Sequence, residues 1–328
     1  MADTVNWGII GCGNVTEVKS GPAFNKVAGS RLVAVMRRDG EKAKDYAKRH
    51  DVPRWYDNAS DLINDQDVNA VYVATPPGSH AEYAIAAMKA GKAAYVEKPM
   101  AANYGECVTM NRISEETGSP LFVAYYRRML PGFLKVRELL YSGIAGKPLF
   151  FNIRFFIPPY NADKAGTLPW RVIPELSGGG YIYDLGSHQL DFIDYLFGPV
   201  KKVSALPLNI GNLYPPEDFV SAGMLCKGGV AGNAVWSFTA PELIKEDSIE
   251  IVCEKGTIRF SCFGFTPTEL RCENKTTFFD NPRPTHVQQN LINSVVEELL
   301  GRGKCPSTGI SAARTSKILD EITENSEI

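Results

Sequence analysis

The chain has 328 residues, too many for one ordinary domain and suited to two. With 44% hydrophobic and 22% charged residues it can bury substantial cores, which excludes a disordered chain. A formal net charge of -2 gives no electrostatic ground for a nucleic-acid or anionic-membrane partner, and no apolar run is long enough to span a bilayer. The seven cysteines are scattered, none in a C-x-x-C pair, and only four histidines accompany them. Reduced thiols, no metal site and a cytoplasmic location are therefore expected. Four residues precede the first apolar run at Val5, so no secretory or transit segment is expected.

From residue 5 to about residue 126, short apolar runs alternate with helical patterns. The runs fall at 5–10, 32–36, 68–74, 93–96 and 121–125, with a weaker one at 54–56. Continuous apolar strands separated by helices predict βαβ crossovers and a parallel sheet buried on both faces, a Rossmann-type doubly wound domain over residues 1–126. Asp39 is placed to cap one helix, and Ser79 with Glu82 reads as a capping box before another that stops at Gly91.

The rhythm then changes. A helix at 134–141 leads to a strand at 149–157, and a second helix runs over 183–197. Short β-branched and aromatic runs follow at 200–205, 219–226, 230–238, 248–253, 257–262, 269–272 and 276–279, separated by turns such as Lys227-Gly228-Gly229. Residues 127–328 thus predict an α/β domain with a mainly antiparallel sheet of six or more strands, closed by helices near 286–300 and 312–322.

Gly11-Cys12-Gly13-Asn14-Val15-Thr16 follows the first strand and opens a helix, where Gly11 permits a tight turn and Gly13 a close approach to pyrophosphate. Thr16 replaces the third glycine of the fingerprint, so the strand–helix context carries the reading of a dinucleotide site. After the second strand, Arg37 stands where an acid holding an NAD ribose would be expected. Arg37 and Arg38 can pair with a 2′-phosphate, which favours NADP. The alternative is NAD, with Asp39 on the ribose.

The strand at 93–96 runs into Glu97-Lys98-Pro99, placing Lys98 beyond a carboxyl end, where open sheets bind ligands. There the lysine can meet a reacting oxygen and share in proton transfer, and its bond to Pro99 can be cis. Asp184, His188 and Asp191 fall at i, i+4 and i+7, predicting one polar helix stripe facing solvent or a cleft. His188 beside a carboxylate suits general acid–base work near neutral pH. The long loop before it carries Trp170, able to lie against a ring, and Arg171, able to meet a phosphate or carboxamide.

Taken together, the 11–16 fingerprint, Thr75-Pro76-Pro77 followed by His80, Glu97-Lys98-Pro99, the Arg127-Arg128 pair and the Gly180…Asp184…His188 stretch resemble the Gfo/Idh/MocA oxidoreductases over nearly the whole chain. Leu168-Pro169-Trp170-Arg171 and the 178–188 stretch look like the branch holding anhydrofructose reductases, dihydrodiol dehydrogenases and xylose dehydrogenases. The resemblance implies hydride transfer between a nicotinamide and a sugar-like alcohol or ketone, with Lys98, Asp184 and His188 as catalytic group. It further implies that Glu97 and the loop of Thr75, Pro76 and Pro77 contact the nicotinamide half, with His80, Arg127, Trp170 and Arg171 near it. It implies a homo-oligomer, dimer or tetramer, through the second domain's sheet. Two other readings stay open: an NADP-binding regulator without catalysis, and a glycosidase that redox-cycles a tightly held NAD. Whether Lys98 or His188 carries the proton is not decided by the residues.

Overall fold

The computed structural model describes residues 3–164 and 167–324. They divide into two compact units. One comprises the described residues up to Tyr126 together with Pro284–Ala313, and the other comprises Arg127–Arg283 together with those from Arg314 onward.

The first unit runs, in chain order, through β1 (Val5–Ile10), α1 (Asn14–Val18), α2 (Gly21–Phe24), β2 (Ser30–Met36), α3 (Gly40–Arg49), β3 (Arg54–Tyr56), α4 (Ala59–Asn64), β4 (Ala70–Val73), α5 (His80–Lys89), β5 (Ala93–Val96), α6 (Tyr104–Thr117) and β6 (Leu121–Val123). The six strands form one sheet in the order β3-β2-β1-β4-β5-β6, and every pairing is parallel. β4 and β5 are buried at every position, as a sheet covered on both faces requires. The order reverses between β1 and β4, so the carboxyl ends of those strands flank the topological switch point.

Local chemistry explains the helix ends. The Asp39 carboxylate accepts the Lys42 N–H at 3.2 Å and starts α3, while Asn103 accepts the Glu106 N–H at 2.9 Å and starts α6. The expected Ser79–Glu82 capping box is absent. A 3₁₀ turn, Pro77–Ser79, precedes α5, and the Ser79 hydroxyl donates instead to Thr75 Oγ1 at 2.8 Å and the Pro76 carbonyl at 3.1 Å.

Late in the chain, α10 (Gln289–Leu299) and the first residues of α11 (Gly309–Glu324) belong to this unit. Ser307 ties them to β6, its carbonyl accepting the Val123 N–H at 3.1 Å and its hydroxyl donating to the Val123 carbonyl at 2.6 Å.

The second unit holds α7 (Pro131–Tyr141), β7 (Pro148–Phe156), α8 (Pro174–Ser177), α9 (Ser187–Phe197), β8 (Val200–Leu208), β9 (Phe219–Cys226), β10 (Ala231–Ser237), β11 (Glu246–Cys253), β12 (Gly256–Phe260), β13 (Thr268–Cys272) and β14 (Lys275–Phe279). Its strands form an eight-stranded sheet in the order β14-β13-β12-β11-β7-β10-β9-β8. Pairing is antiparallel except between β7 and β10. Burial alternates along β9 and β10, so one face makes a core. α7 and α9 supply that core's other side. Phe133 meets Phe192 at 4.6 Å and Phe260 at 5.8 Å between ring centroids, and Trp236 Nε1 donates to Gln189 Oε1 at 2.6 Å. The opposite face leaves Phe150 and Leu225 exposed.

All seven cysteines are free and six are buried. Burial pushes the Cys12 thiol up to about 11 and the Cys262 thiol to about 12, so both stay protonated at neutral pH. Among the described residues no helix is long and apolar enough to cross a membrane.

Candidate active site

Four loops leave the carboxyl edge of the parallel sheet carrying predicted site residues. After β1, Gly11 has φ +90°, and a Cβ there would stand 2.8 Å from Thr75 Cγ2, so only glycine fits. A Cβ on Gly13 would meet nothing nearer than 3.8 Å, leaving its backbone open to close approach. The Gly11 and Cys12 N–H groups both donate to the Met36 carbonyl, at 2.9 and 3.2 Å, pinning this turn to the end of β2. As first residues of α1, Asn14 and Val15 have N–H groups with no partner carbonyl inside the helix. Thr16, which replaces the third glycine, is fully buried, and its hydroxyl donates to the Gly13 carbonyl at 2.8 Å. The tight contact behind the turn falls at Gly21, where a Cβ would lie 2.2 Å from the Thr16 carbonyl oxygen. The positive-φ turn and the open side of Gly13 fit a dinucleotide pyrophosphate.

After β2, Arg37 is half-buried, with Nη1 3.4 Å from the Cys12 carbonyl, and Arg38 is exposed. Asp39 is committed elsewhere: besides capping α3, its carboxylate lies 2.6 Å from Lys42 Nζ, and these contacts hold its carboxyl below the usual range.

After β4, the loop of Thr75, Pro76 and Pro77 is bound to the turn after β5 by His80. The imidazole is fully buried, with Nε2 2.7 Å from the Thr75 carbonyl and Nδ1 3.0 Å from the Pro99 carbonyl. Burial lowers its pKa, opposed by those carbonyls and by the charge of Glu97. Both ring nitrogens are thus occupied by backbone, which makes His80 a brace for the two loops. Glu97 is buried, Lys98 is half-buried, and the Lys98–Pro99 bond is cis.

In the second unit, Arg171 and Asp184 come together. Arg171 lies in a 3₁₀ turn, Trp170–Val172, with its guanidinium 4.6 Å from the Trp170 ring centroid and Nε donating to Asp184 Oδ2 at 2.9 Å. Burial first, then the Asp184 charge, pushes the Tyr160 hydroxyl up, marking a third group beside this pair.

Arg127 and His188 share one neighbour that carries no sequence motif. The buried Arg127 donates Nε to the Cys262 carbonyl at 2.9 Å and places its guanidinium 4.4 Å over Phe263. The buried His188 meets that ring edge-on, with centroids 5.8 Å apart. Asp247 fixes the Phe263 loop by accepting the Cys262, Phe263 and Gly264 N–H groups at 2.9, 2.6 and 2.8 Å.

The expected polar stripe is corrected here. Residues Ile182–Gly186 form a π-helical turn, so Asp184 precedes α9 on a wider winding than the α-helical spacing assumed. Nor does Asp191 face solvent or a cleft. It is 1% exposed and clasped by Arg128, whose Nε and Nη2 donate to its two oxygens at 2.9 and 2.5 Å. Burial raises its carboxyl above the ordinary range, opposed by Arg128 and by the Thr315 hydroxyl. One turn on, Asp194 pairs with Arg314. α9 is buried nearly all round, and its acids are core anchors with arginine partners.

Comparison with known proteins agrees with this architecture. Residues 5–125 match the oxidoreductase family with an NAD-binding Rossmann fold, and residues 133–259 match the GFO/IDH/MocA C-terminal domain. Oxidoreductase P35 of Formosa agariphila is 40% identical over 98% of both chains. The trans-1,2-dihydrobenzene-1,2-diol dehydrogenase of Sus scrofa is 26% identical over 98% of this chain and 95% of its own. A levoglucosan dehydrogenase solved with NADH and levoglucosan superposes with a TM-score of 0.86 at 20% identity, covering 98% of this chain and 97% of that one. The chain belongs to the Gfo/Idh/MocA family of NAD-binding oxidoreductases.

Proposed function

We propose that this oxidoreductase transfers hydride between NADP, with NAD as the alternative, and a hydroxyl or carbonyl of a sugar, polyol or related diol. The observation that carries the reading is the gathering of the Gly11–Gly13 turn, Arg37, the Thr75 loop and Lys98 at the carboxyl ends of strands in one parallel sheet. The commitment of Asp39 to Lys42 leaves Arg37 and Arg38 as the charged groups for a ribose substituent, which favours a 2′-phosphate. The dihydrodiol and levoglucosan dehydrogenases named above support a diol or sugar substrate.

In this reading, Glu97 and residues 75–77 hold the nicotinamide half of the cofactor, which supplies the hydride acceptor when bound. Trp170, Arg171 and Arg127 serve the same end, and His80 braces the loops. Lys98 or His188 takes the hydroxyl proton in oxidation and returns it in reduction, and Asp184 balances the positive charge that develops. The exposed Phe150 and Leu225, on the uncovered face of the eight-stranded sheet, support a homodimer or tetramer through that face. Leu225→Lys is expected to give monomers by light scattering, and an unchanged assembly would rule out this face. The free, buried thiols suit a cytoplasmic setting.

The test is a titration of the purified protein with NADPH and NADH, followed by a sugar and polyol screen with the tighter cofactor. NADPH is expected to bind more tightly, and Arg37→Asp to reverse the order, by roughly tenfold or more for a lost charge-assisted pair. Tighter NADH binding by the natural protein would overturn the NADP assignment. Bound cofactor without turnover on any substrate of the screen would favour the regulator.

A further inference from the structure

The Glu97 carboxylate is held from a part of the chain that no motif links to it. Gln288, fully buried just before α10, donates Nε2 to Glu97 Oε1 across 191 positions of sequence. The fully buried Tyr72, on β4, donates its hydroxyl to the same oxygen. The other oxygen, Oε2, accepts the Lys98 N–H at 3.2 Å. Tyr95, on β5, donates to Gln288 Oε1 at 2.9 Å. The Glu97 carboxylate, which can only accept, decides which way the amide points, and the Tyr95 hydroxyl then donates to the amide oxygen. Were the amide turned over, its oxygen would face the carboxylate and its NH₂ group the Tyr95 hydroxyl, losing a donor where the charge is. Donors therefore converge on the Glu97 carboxylate from two sides, through Tyr95 and Gln288 on Oε1 and from the Lys98 N–H on Oε2, and Tyr95, Gln288 and Glu97 are buried.

A core needs no such convergence. Burying a carboxylate is costly unless its lone pairs are filled, and an apolar pair at positions 97 and 288 would pack at lower cost. We propose that Gln288, oriented by Tyr95 and assisted by Tyr72, is a positioning residue for the nicotinamide end of the cofactor. It fixes the Glu97 carboxylate, and through the Lys98 N–H it fixes the turn that presents Lys98. The inference rests on the reading of Glu97 and Lys98 as nicotinamide-end residues.

The test compares binding of NADP⁺ with that of 2′-phospho-ADP-ribose, which lacks the nicotinamide, and of NAD⁺ with ADP-ribose alongside. The proteins are wild type, Glu97→Gln, Gln288→Leu, Gln288→Glu and Tyr95→Phe, each checked by thermal melting. Gln288→Leu is expected to weaken binding of the complete dinucleotide by roughly tenfold, one hydrogen bond to a charged group, and to leave the nicotinamide-free fragment almost unaffected.

Gln288→Glu gives the sharper signature. At pH 8 two carboxylates would face each other and dinucleotide binding should be weak. At pH 6 a shared proton lets the new side chain donate as the amide did, and binding should recover. Tyr95→Phe, the mildest change, should give a smaller loss of the same selective kind and serves if Gln288→Leu does not fold.

Equal weakening of dinucleotide and fragment, no weakening in any Gln288 or Tyr95 variant, or a pH-independent Gln288→Glu would overturn the proposal. If Glu97→Gln weakens dinucleotide binding selectively and the Gln288 variants do not, only the positioning role fails. If Glu97→Gln also has no selective effect, the reading of Glu97 falls with it.

Discussion

Lys98→Ala and His188→Asn are each expected to lower kcat by roughly 10²- to 10⁴-fold, the range for losing a positioned acid–base group. Cofactor Kd should move far less. The Lys98 backbone N–H that donates to Glu97 survives in the alanine variant, so the turn keeps its anchor and only the amino group is lost. In the asparagine variant a polar side chain remains against Phe263, but it cannot titrate. Steady-state kinetics on the best substrate of the screen, with cofactor titrations of each variant, check both. A pH–rate profile that loses one limb in one variant alone would identify which residue carries the proton. Unchanged turnover in both variants would remove Lys98 and His188 from the chemistry.

The largest loss of stability is expected at Asp191 and Arg128. Removing either partner of a buried, bidentate pair leaves the other charge buried and uncompensated, at about 3–5 kcal/mol. Asp191→Asn and Arg128→Met should therefore melt below the natural protein, by roughly 4–7 °C in a chain of this size. The double variant Asp191→Leu with Arg128→Leu should regain part of that loss, because no orphaned charge remains. Calorimetry or circular dichroism melts read the outcome. A natural melting temperature in Asp191→Asn, together with lost turnover, would show that Asp191 belongs with Asp184 and His188 after all.

Much of the fold was legible because each element announces itself locally. Val5–Ile10, Ala93–Val96 and Phe219–Cys226 coincide with apolar or alternating runs bounded by turn residues, and Asp39 caps the helix it precedes. The Ser79–Glu82 box failed for a local reason of a different kind. Pro77 opens a 3₁₀ turn that draws the Ser79 hydroxyl to Thr75 and Pro76. The stripe at 184, 188 and 191 failed because spacing on an ideal helix knows nothing of a π turn, nor of an arginine 63 positions away that can neutralise a buried acid.

By itself, then, the sequence determined what depends on near neighbours: a parallel sheet followed by a mainly antiparallel one, the glycine turn after β1, the arginines after β2, and the family through its joined motifs. Tertiary structure alone decided which polar groups share a partner. It returned residues 284–313 to the first unit, set Gln288 against Glu97, put Asp191 in the hands of Arg128, and brought Phe263 against both Arg127 and His188. The reason is physical: backbone hydrogen bonding and side-chain periodicity act over a few residues, whereas the cost of burying a charge is met by whichever donors the folded chain brings to it from any distance.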